Sequence, residues 1–439
     1  MKKNYLAFFT LLAFLLLAGC KQQQLVKQIH RTVTDSEKEL QYLAGLAVYD
    51  PAKGEMIYDY HADRYFTPAS NTKIYTFYTS LRILGDSIKG LEYTVRNDSL
   101  FFWGTADPSL LNPNMEQEQD RVLEFLKNRT ETLVFLDKPY YEGAFGPGWA
   151  WDDYNDYYSA ERSAFPIYGN VITVSKQPEE ELFNLSPMAF VDSLLVIPDS
   201  SYTSVRRDLK SNIFTLRYGQ NADMNEQIPF IHSSELNIQL LEDTLNREIP
   251  IQPYDPVFVN EQERYFVNSV STDSLLKVMM QTSDNFMAEQ LLLMCHNELT
   301  DEFSSRKMIR HALDSLLPEL PDTPRWVDGS GLSRYNLFTP RNTVHVFNRL
   351  YHSIPQDRLF NMLAASGESG TLSRFYKAES PYIYGKTGTL SNNHSLSGYL
   401  ITKSGKILIF SYMHNHYMSS SSRIKEKMEA VLKELRDLY

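Results

Sequence analysis

The sequence predicts a mixed α/β fold in which an antiparallel sheet is combined with a cluster of helices and interrupted by a mainly β insertion. Apolar, β-branched segments near both ends of the chain predict strands, at residues 43–49, 56–60, 396–401 and 407–413. Strands from both ends with helices between them are typical of a layered α/β domain. More than 200 residues separate Lys73 from Ser283, too many for a connecting loop, so we expect an insertion there.

The local boundaries of these elements are recognisable. Residues 50–54, with the sequence Asp-Pro-Ala-Lys-Gly, predict a turn between the first two strands. Apolar residues recur with helical spacing from Ile74 to Leu81, after Pro68 and before Gly85, and predict an amphipathic helix. The same spacing predicts further helices, at residues 275–279, 287–295 and 424–435.

The insertion divides the predicted main domain into two segments. Residues 40–85 and 263–439 are expected to form the main domain. Residues 86–262 are aromatic, turn-rich and strand-like, and are expected to form one or two inserted domains.

The beginning of the chain predicts export. In residues 1–19 two lysines precede an apolar run, which ends in small residues before Cys20, as in a lipoprotein signal peptide whose cysteine becomes lipidated. A transmembrane helix is the alternative, but the run is short. The polar residues 20–39 are predicted to be a tether.

Ser70 begins the first candidate motif, Ser-Asn-Thr-Lys. The first turn of a helix favours negative charge on the serine oxygen, and Lys73 follows on the same helical face. A lysine accepts the serine proton only when neutral, and lowering its pKa by about three units costs roughly 4 kcal/mol. Burial and a second cation, for which Lys386 is the candidate, can supply that shift. An isolated pair of this kind would indicate only a helix cap and a solvated lysine, but two further motifs favour the chemical role.

The second motif, Ser283, Asp284 and Asn285, lies where two predicted helices meet. A hydroxyl at Ser283 can relay a proton between Lys73 and a leaving amine, and the Asn285 amide can hold a substrate backbone. Capping of the second helix is the alternative role for these residues.

The third motif follows a strand-like segment and consists of Lys386, Thr387, Gly388 and Thr389. A phosphate-binding loop would require glycine at position 380, where the sequence has Ser380. Lys386 and Thr387 instead suit a substrate carboxylate, and the glycine lets a substrate backbone approach the strand. The backbone N–H groups of Ser70 and Thr389 are expected to form an oxyanion hole.

Composition excludes several classes of protein. With 54 acidic and 43 basic residues, the net charge of −11 argues against binding to nucleic acid. Apart from Cys20 the only cysteine is Cys295, which is expected to be a small buried hydrophobe rather than half of a disulfide. His414 and His416 lack acidic or cysteine partners at ligand spacing, so we expect surface residues, and neither a metal nor a cofactor is predicted.

The three motifs, in this order, are those of β-lactamases and penicillin-binding proteins. The chain resembles in particular the D-alanyl-D-alanine carboxypeptidase/endopeptidase family of low-molecular-mass class C (type-4) penicillin-binding proteins. The resemblance covers nearly the whole chain after the signal peptide and includes further segments, at residues 67–69, 106–110, 146–153, 288–289 and 328–334. One departure is the Trp-Gly-Thr-Ala sequence at 103–106, where the family usually has more glycine before Asp107.

The resemblance implies a penicillin-recognising, β-lactamase-like main domain with insertions between the first and second motifs. It implies cleavage of the terminal D-Ala from peptidoglycan stem peptides, and of D-Ala cross-links, through an acyl-enzyme on Ser70. β-Lactams would bind covalently, and the membrane would be contacted through the lipid anchor, in the bacterial envelope facing the periplasm. A β-lactamase, an esterase of the same fold and a non-catalytic cell-wall sensor are the alternatives.

An acidic and aromatic segment in the insertion, residues 149–158, is a candidate for substrate recognition. Stem peptides carry a diamino acid whose free amine needs an anionic or cation–π partner. Asp153 is the candidate for this contact. Anchoring of the insertion to the main domain is the alternative role, mainly for the tryptophans.

Overall fold

The computed structural model describes residues 23–115, 120–177, 182–198, 202–219 and 223–439. The predicted signal peptide and Cys20 therefore lie outside the described residues. Within the described ranges, none of the helices has both the length and the apolarity needed to span a bilayer. The described chain separates into two compact units. Unit 1 contains the residues up to Ile74, Glu319–Trp326 and Arg334–Tyr439, and unit 2 contains Tyr75–Pro318 and Val327–Ser333.

In chain order the strands are β1 (Leu43–Asp50), β2 (Glu55–Tyr60), β3 (Ser87–Arg96), β4 (Ser99–Gly104), β5 (Thr132–Asp137), β6 (Val171–Lys176), β7 (Asn184–Ser186), β8 (Leu194–Pro198), β9 (Ser204–Arg207), β10 (Phe214–Tyr218), β11 (Met224–Pro229), β12 (Ile251–Pro253), β13 (Tyr265–Ser271), β14 (Ala364–Ala365), β15 (Ile383–Leu390), β16 (Asn393–Ile401) and β17 (Ile407–Asn415). The helices are α1 (23–40), α2 (Lys73–Ile83), α3 (Arg121–Lys127), α4 (Ser234–Leu245), α5 (Pro256–Asn260), α6 (Thr272–Thr282), α7 (Asn285–Thr300), α8 (Ser305–His311), α9 (Pro340–Ser353), α10 (Gln356–Met362) and α11 (Ser421–Leu438). The mixed α/β prediction is confirmed.

Unit 1 is built on a six-stranded antiparallel sheet with the order β14, β15, β16, β17, β1, β2. Strands from the two ends of the chain pair directly, with Gly45 of β1 opposite Met413 of β17, as the sequence predicted. One face of the sheet packs against α1 and α11, through a core that includes Ile29, Leu46, Leu396, Phe410, Ile424 and Val431. The other face packs against α9, where Phe347 meets the ring of Tyr399 at 5.2 Å between centroids.

The predicted tether is wrong for its described part. Residues 23–40 form α1, and Leu25, Ile29 and Val33 are buried in the core of unit 1. These residues recur every four positions, so they lie on one face of a helix. Because mostly polar residues separate these three apolar positions, the segment has the composition of a polar tether and its helical periodicity is easily missed.

Unit 2 contains a five-stranded mixed sheet with the order β12, β5, β4, β3, β13 and two three-stranded sheets, β8-β10-β9 and β11-β6-β7. One core joins these sheets and includes Phe102, Phe135, Phe214 and Leu241. Helices α6 and α7, which flank the second motif, belong to this unit. The domain boundaries near residues 86 and 262 stay predictions.

Candidate active site

Ser70 lies in a 3-10 turn, Ala69–Thr72, that runs directly into α2. The predicted helix is therefore present, although its first turn is 3-10 rather than α-helical. Ala69 has a φ of 49°, a left-handed conformation that is costly for a residue other than glycine and that tends to occur at functional sites. Lys73 Nζ donates a hydrogen bond to Ser70 Oγ at 3.1 Å. The base predicted from the spacing thus contacts the predicted nucleophile.

Lys73 and Lys386 are both fully buried in unit 1. Lys386 Nζ donates to the carbonyl oxygen of Thr387 at 2.8 Å. Burial, and then the positive charge of Lys73, hold the pKa of Lys386 well below its usual value. The structure therefore brings the first and third motifs together, with the charge of Lys73 acting against that of Lys386.

Asn71 connects these two motifs and was missed by the sequence reasoning. Its Nδ2 donates to the carbonyl oxygen of Lys386 at 2.8 Å, and its Oδ1 accepts from Ser397 Oγ of β16 at 2.6 Å. Ser397 Oγ also lies 2.9 Å from Ser411 Oγ of β17. The serine turn is thus hydrogen-bonded to the sheet. The sequence signal was weak, because asparagine in a helical first turn also suits a cap.

Gly388 allows this close approach. A Cβ at this position would lie 2.5 Å from the carbonyl oxygen of Pro68 and 2.9 Å from the backbone nitrogen of Ser70. The sequence predicted that this glycine admits a substrate backbone. In the structure the space beside it is occupied by the serine turn.

The residues of the third motif alternate between the two faces of β15. Lys386 is paired with Ser397, whose hydroxyl contacts the serine turn, so Lys386 and Gly388 face Ser70. Thr387 and Thr389 share the opposite face with Ile383, which lies in the core with α11. There Thr387 Oγ1 donates to Thr371 Oγ1 at 2.7 Å, and Thr389 Oγ1 pairs with His394 Nδ1 at 2.8 Å.

β15 also presents a free edge. β14 pairs only with Tyr384 and Gly385, so from Lys386 to Leu390 no strand of the described chain pairs with this side of β15. An extended peptide can add to such an edge through its backbone hydrogen bonds.

The second motif lies in unit 2 at the predicted corner between α6 and α7. Ser283 has a φ of 67°, in the left-handed region. Asp284 caps α7, with Oδ1 accepting from the backbone nitrogen of Met287 at 2.9 Å. Asn285 Nδ2 donates to the carbonyl oxygen of Tyr158 at 3.0 Å. The corner prediction is confirmed, and the capping role falls to Asp284 rather than to Ser283.

The acidic and aromatic segment reaches this corner through Tyr158. Tyr158 Oη donates to Asp153 Oδ1 at 3.1 Å and to Asp156 Oδ2 at 2.9 Å. Burial, and then these carboxylates, raise the pKa of Tyr158, so it remains a donor. Trp149 donates its indole N–H to Asp328 at 2.9 Å, as an anchor would, whereas Trp151 is 76% exposed.

The sequence did not predict that Glu289, Arg162 and Asp328 form one buried charged cluster at α7. Glu289 and Arg162 lie 3.8 Å apart, and Glu289 Oε1 accepts from the backbone nitrogen of Ser330 at 2.7 Å. Burial, and then Asp328, raise the pKa of Glu289 to about 7. Asp328 in turn accepts from the backbone nitrogens of Gly331 and Ser333 at 2.9 and 2.6 Å.

The remaining candidate ligands are placed differently from expectation. His414 was expected at the surface but is fully buried in β17, between the rings of Tyr42 and Tyr412, because every residue of that strand except its first is buried. His416 is exposed. Cys295 is buried as predicted, and burial raises the pKa of its thiol to about 12. Among the described residues no group of three or more His, Cys, Asp or Glu could hold a metal ion.

Comparison with known proteins agrees with this geometry. The sequence model of the D-Ala-D-Ala carboxypeptidase 3 (S13) family matches residues 25–196 and 260–435. Penicillin-sensitive carboxypeptidase A of Dictyostelium discoideum is 22% identical over 410 residues, which cover 81% of this chain and 78% of that protein. Carboxypeptidase DacB of Mycolicibacterium smegmatis is 30% identical over 181 residues, which cover 38% of each chain.

A solved structure shows the same fold. The crystal structure of penicillin-binding protein 4 from Haemophilus influenzae matches with a TM-score of 0.72 and 19% identity, covering 92% of this chain and 99% of that one. The predicted fold class is therefore confirmed at the level of architecture.

Proposed function

This chain belongs to the D-Ala-D-Ala carboxypeptidase 3 (S13) family, and we propose that its serine hydrolase reaction on peptidoglycan stem peptides proceeds through an acyl-enzyme on Ser70. The observation that carries this assignment is the 3.1 Å hydrogen bond from Lys73 Nζ to Ser70 Oγ, in a site where Lys386 is also buried. A neutral amine at Lys73 can accept the serine proton, because repulsion between two buried cations favours loss of a proton from the pair.

In the proposed reaction, Ser70 Oγ attacks the carbonyl carbon of the penultimate D-Ala while its proton passes to Lys73. Protonation of the leaving nitrogen, with Ser283 as the relay, releases the terminal residue and leaves an ester on Ser70. Water then cleaves this ester and restores the hydroxyl. The N–H groups of Ser70 and Thr389 are the proposed oxyanion donors, which are most effective when fixed in advance.

Substrate capture is assigned to the free edge of β15 and to Asn285. An extended stem peptide along this edge can be reached by Lys386 from one face and by Thr387 and Thr389 from the other. The carboxylate of the departing D-Ala is the proposed ligand of Lys386 and Thr387. The Asn285 amide is the proposed contact to the substrate backbone.

Asp153 is the proposed partner of the free amine of the diamino acid. In support, Asp153 is half-buried and shares Tyr158 with Asp156, and the backbone of Tyr158 is bonded to Asn285 of the second motif. A fixed carboxylate beside aromatic rings suits an ammonium group.

We also propose that Cys20 carries a lipid that anchors the enzyme in the cell envelope, facing the periplasm. The support is the signal-like sequence before this cysteine. Incorporation of labelled fatty acid should be lost in Cys20→Ala. Persistent labelling of that variant would reject the anchor.

Labelling with fluorescent penicillin tests the nucleophile. A β-lactam offers a strained amide and a carboxylate to the same groups, so we expect a stable covalent adduct that disappears in Ser70→Ala. Hydrolysis rates on a D-Ala-D-Ala peptide, on penicillin and on a small ester separate the peptidase from a β-lactamase or an esterase. Adduct formation in Ser70→Ala would place the nucleophile elsewhere.

A further inference from the structure

On the face of β15 opposite Ser70, unit 1 contains a cavity of about 270 Å³. Two residues of the third motif, Thr387 and Thr389, line it together with Thr371, Phe375, His394 and Lys425. Lys425 belongs to α11 and was not singled out by any motif. The cavity therefore begins at the strand that is proposed to hold the substrate.

The lining is rich in hydrogen-bond donors and contains one cation. The Nζ of Lys425 lies 4.3 Å from the ring centroid of Phe375, and no carboxylate of the described residues is within ion-pair distance of it. Burial, and then the charge of Lys425, lower the pKa of His394 to about 3, so this imidazole is neutral. No acidic residue lines the cavity. An ammonium group beside threonine hydroxyls is suited to a carboxylate ligand.

The size of the cavity exceeds what a terminal D-alanine needs. A substrate extended along the edge of β15 directs successive groups to opposite faces of the sheet. The side chain of a departing D-alanine is a methyl group, comparable in size with a water molecule, whose share of liquid volume is about 30 Å³. A cavity of about 270 Å³ accommodates a much longer leaving group.

We propose that this cavity is the subsite for a large acidic leaving group, the acceptor peptide of a cross-link, and that Lys425 binds a second carboxylate of that peptide. The inference rests on the proposed function, in which cross-links are already a substrate, and adds the cavity and Lys425 as the groups that recognise the acceptor peptide. Ser70 Oγ forms the ester bond to the D-Ala carbonyl carbon, and the bond from that carbon to the amine of the acceptor diamino acid breaks. The serine proton ends on that amine. Water then hydrolyses the ester, which yields the D-Ala carboxylate and restores Ser70.

The test compares two substrates with the full-length enzyme. One is a pentapeptide ending in D-Ala-D-Ala, and the other is a cross-linked dimer of stem peptides; kcat/KM is measured for each from the released products. Lys425→Gln should lower the dimer-to-pentapeptide ratio of kcat/KM about tenfold, the scale of one charge-assisted hydrogen bond. Lys425→Arg should largely preserve the ratio. Lys427→Gln is the matched control, because Lys427 lies on the same helix but pairs with Glu39 at 2.6 Å, and it should leave both rates unchanged.

A dimer with amidated acceptor carboxylates completes the experiment. Wild type should cleave it about tenfold less efficiently than the acidic dimer, with no further loss in Lys425→Gln. An equal loss on pentapeptide and dimer, an unchanged ratio, or a further loss on the amidated dimer would each overturn the inference. Failure of the proposed function would look different, because wild type would then neither release D-Ala nor take a penicillin label on Ser70.

Discussion

Both compact units bury a charged side chain near a like charge, Glu289 near Asp328 in unit 2 and Lys386 near Lys73 in unit 1. In unit 2 the carboxylate of Glu289 lies 3.8 Å from Arg162 and accepts a backbone N–H. In unit 1 burial, and then the positive charge of Lys73, lower the pKa of Lys386. Buried charges are costly unless they are paired and hydrogen-bonded.

The hydrogen-bond partners separate a structural from a reactive cluster, because Glu289 accepts from the backbone of Ser330 whereas Lys73 donates to the hydroxyl of Ser70. Asp328 and Glu289 accept hydrogen bonds from backbone N–H groups of the loop at residues 328–333, so these two side chains hold that loop against α7. Burial, and then the charge of Lys73, disfavour ionisation of Lys386, and strongly shifted groups of this kind are typical of catalytic sites. Substitutions in both units sharpen or break this comparison.

The largest effect is expected for Lys73→Ala. Loss of the general base should lower the acylation rate by about 10³-fold to 10⁴-fold at saturating fluorescent penicillin. Lys386→Ala is the informative companion, because it should mainly raise the KM for carboxylate-bearing substrates. Acylation of Lys73→Ala at the wild-type rate would mean that the two lysines do not differ in role as proposed.

A smaller effect is expected for Asn71→Ala. Without Nδ2 the serine turn loses its hydrogen bond to the Lys386 carbonyl, and a shift of about 1 Å can slow acylation about 100-fold. Ser411→Ala serves as the control, because it removes the far end of the same hydrogen-bond chain without touching the turn. Equal acylation by Asn71→Ala and wild type would show that the turn is positioned by other contacts.

In unit 2, Asp153→Asn should reduce kcat/KM for amine-bearing stem peptides by roughly 1 to 3 kcal/mol, the scale of one unpaired polar partner. Penicillin acylation should change little, since penicillin lacks that amine. The measurement is repeated on a peptide whose amine is acetylated. The same loss on that peptide would assign Asp153 to the fold rather than to substrate recognition.

A further effect concerns stability rather than activity. The pKa of Glu289 is about 7 in the folded state, whereas the ordinary pKa of a glutamate is about 4.5. Between these pH values the native state binds more protons than the unfolded state, so stability falls as pH rises, by up to about 1.4 kcal/mol per pH unit. Glu289→Gln should remove its own contribution to this slope, most clearly above the pKa of Asp107, from urea-unfolding free energies measured across the range.

Asp107 provides an internal comparison for this measurement. Burial raises its pKa from 3.8 to about 6, so Asp107→Asn should remove only the lower part of the slope. A slope that is unchanged in Glu289→Gln would mean that this carboxylate is as well stabilised when ionised as in water.

Several features of the site were predictable because their signals are local. The spacing of Ser70 and Lys73 at the start of a helix, the corner at Ser283 and the strand before Lys386 all depend on residues close in sequence. Helical and strand periodicities are patterns among residues close in sequence, so they predict these local elements directly. The order of the three motifs then indicated the chemistry.

Other features depend on residues that are distant in sequence. Asn71 and Lys386 are 315 positions apart, and no periodicity links an asparagine in one turn to a carbonyl in a strand. Packing between distant residues also determines three other features. These are the close approach of the serine turn to Gly388, the burial of α1 and the position of Lys425 beside Thr387. The sequence by itself determined the elements, the reactive groups and their order, because short-range sterics and hydrogen bonding fix them. Only the tertiary structure decided which face of β15 each group occupies and that Lys73 and Lys386 lie close enough to influence each other, because packing across the sheet fixes those distances.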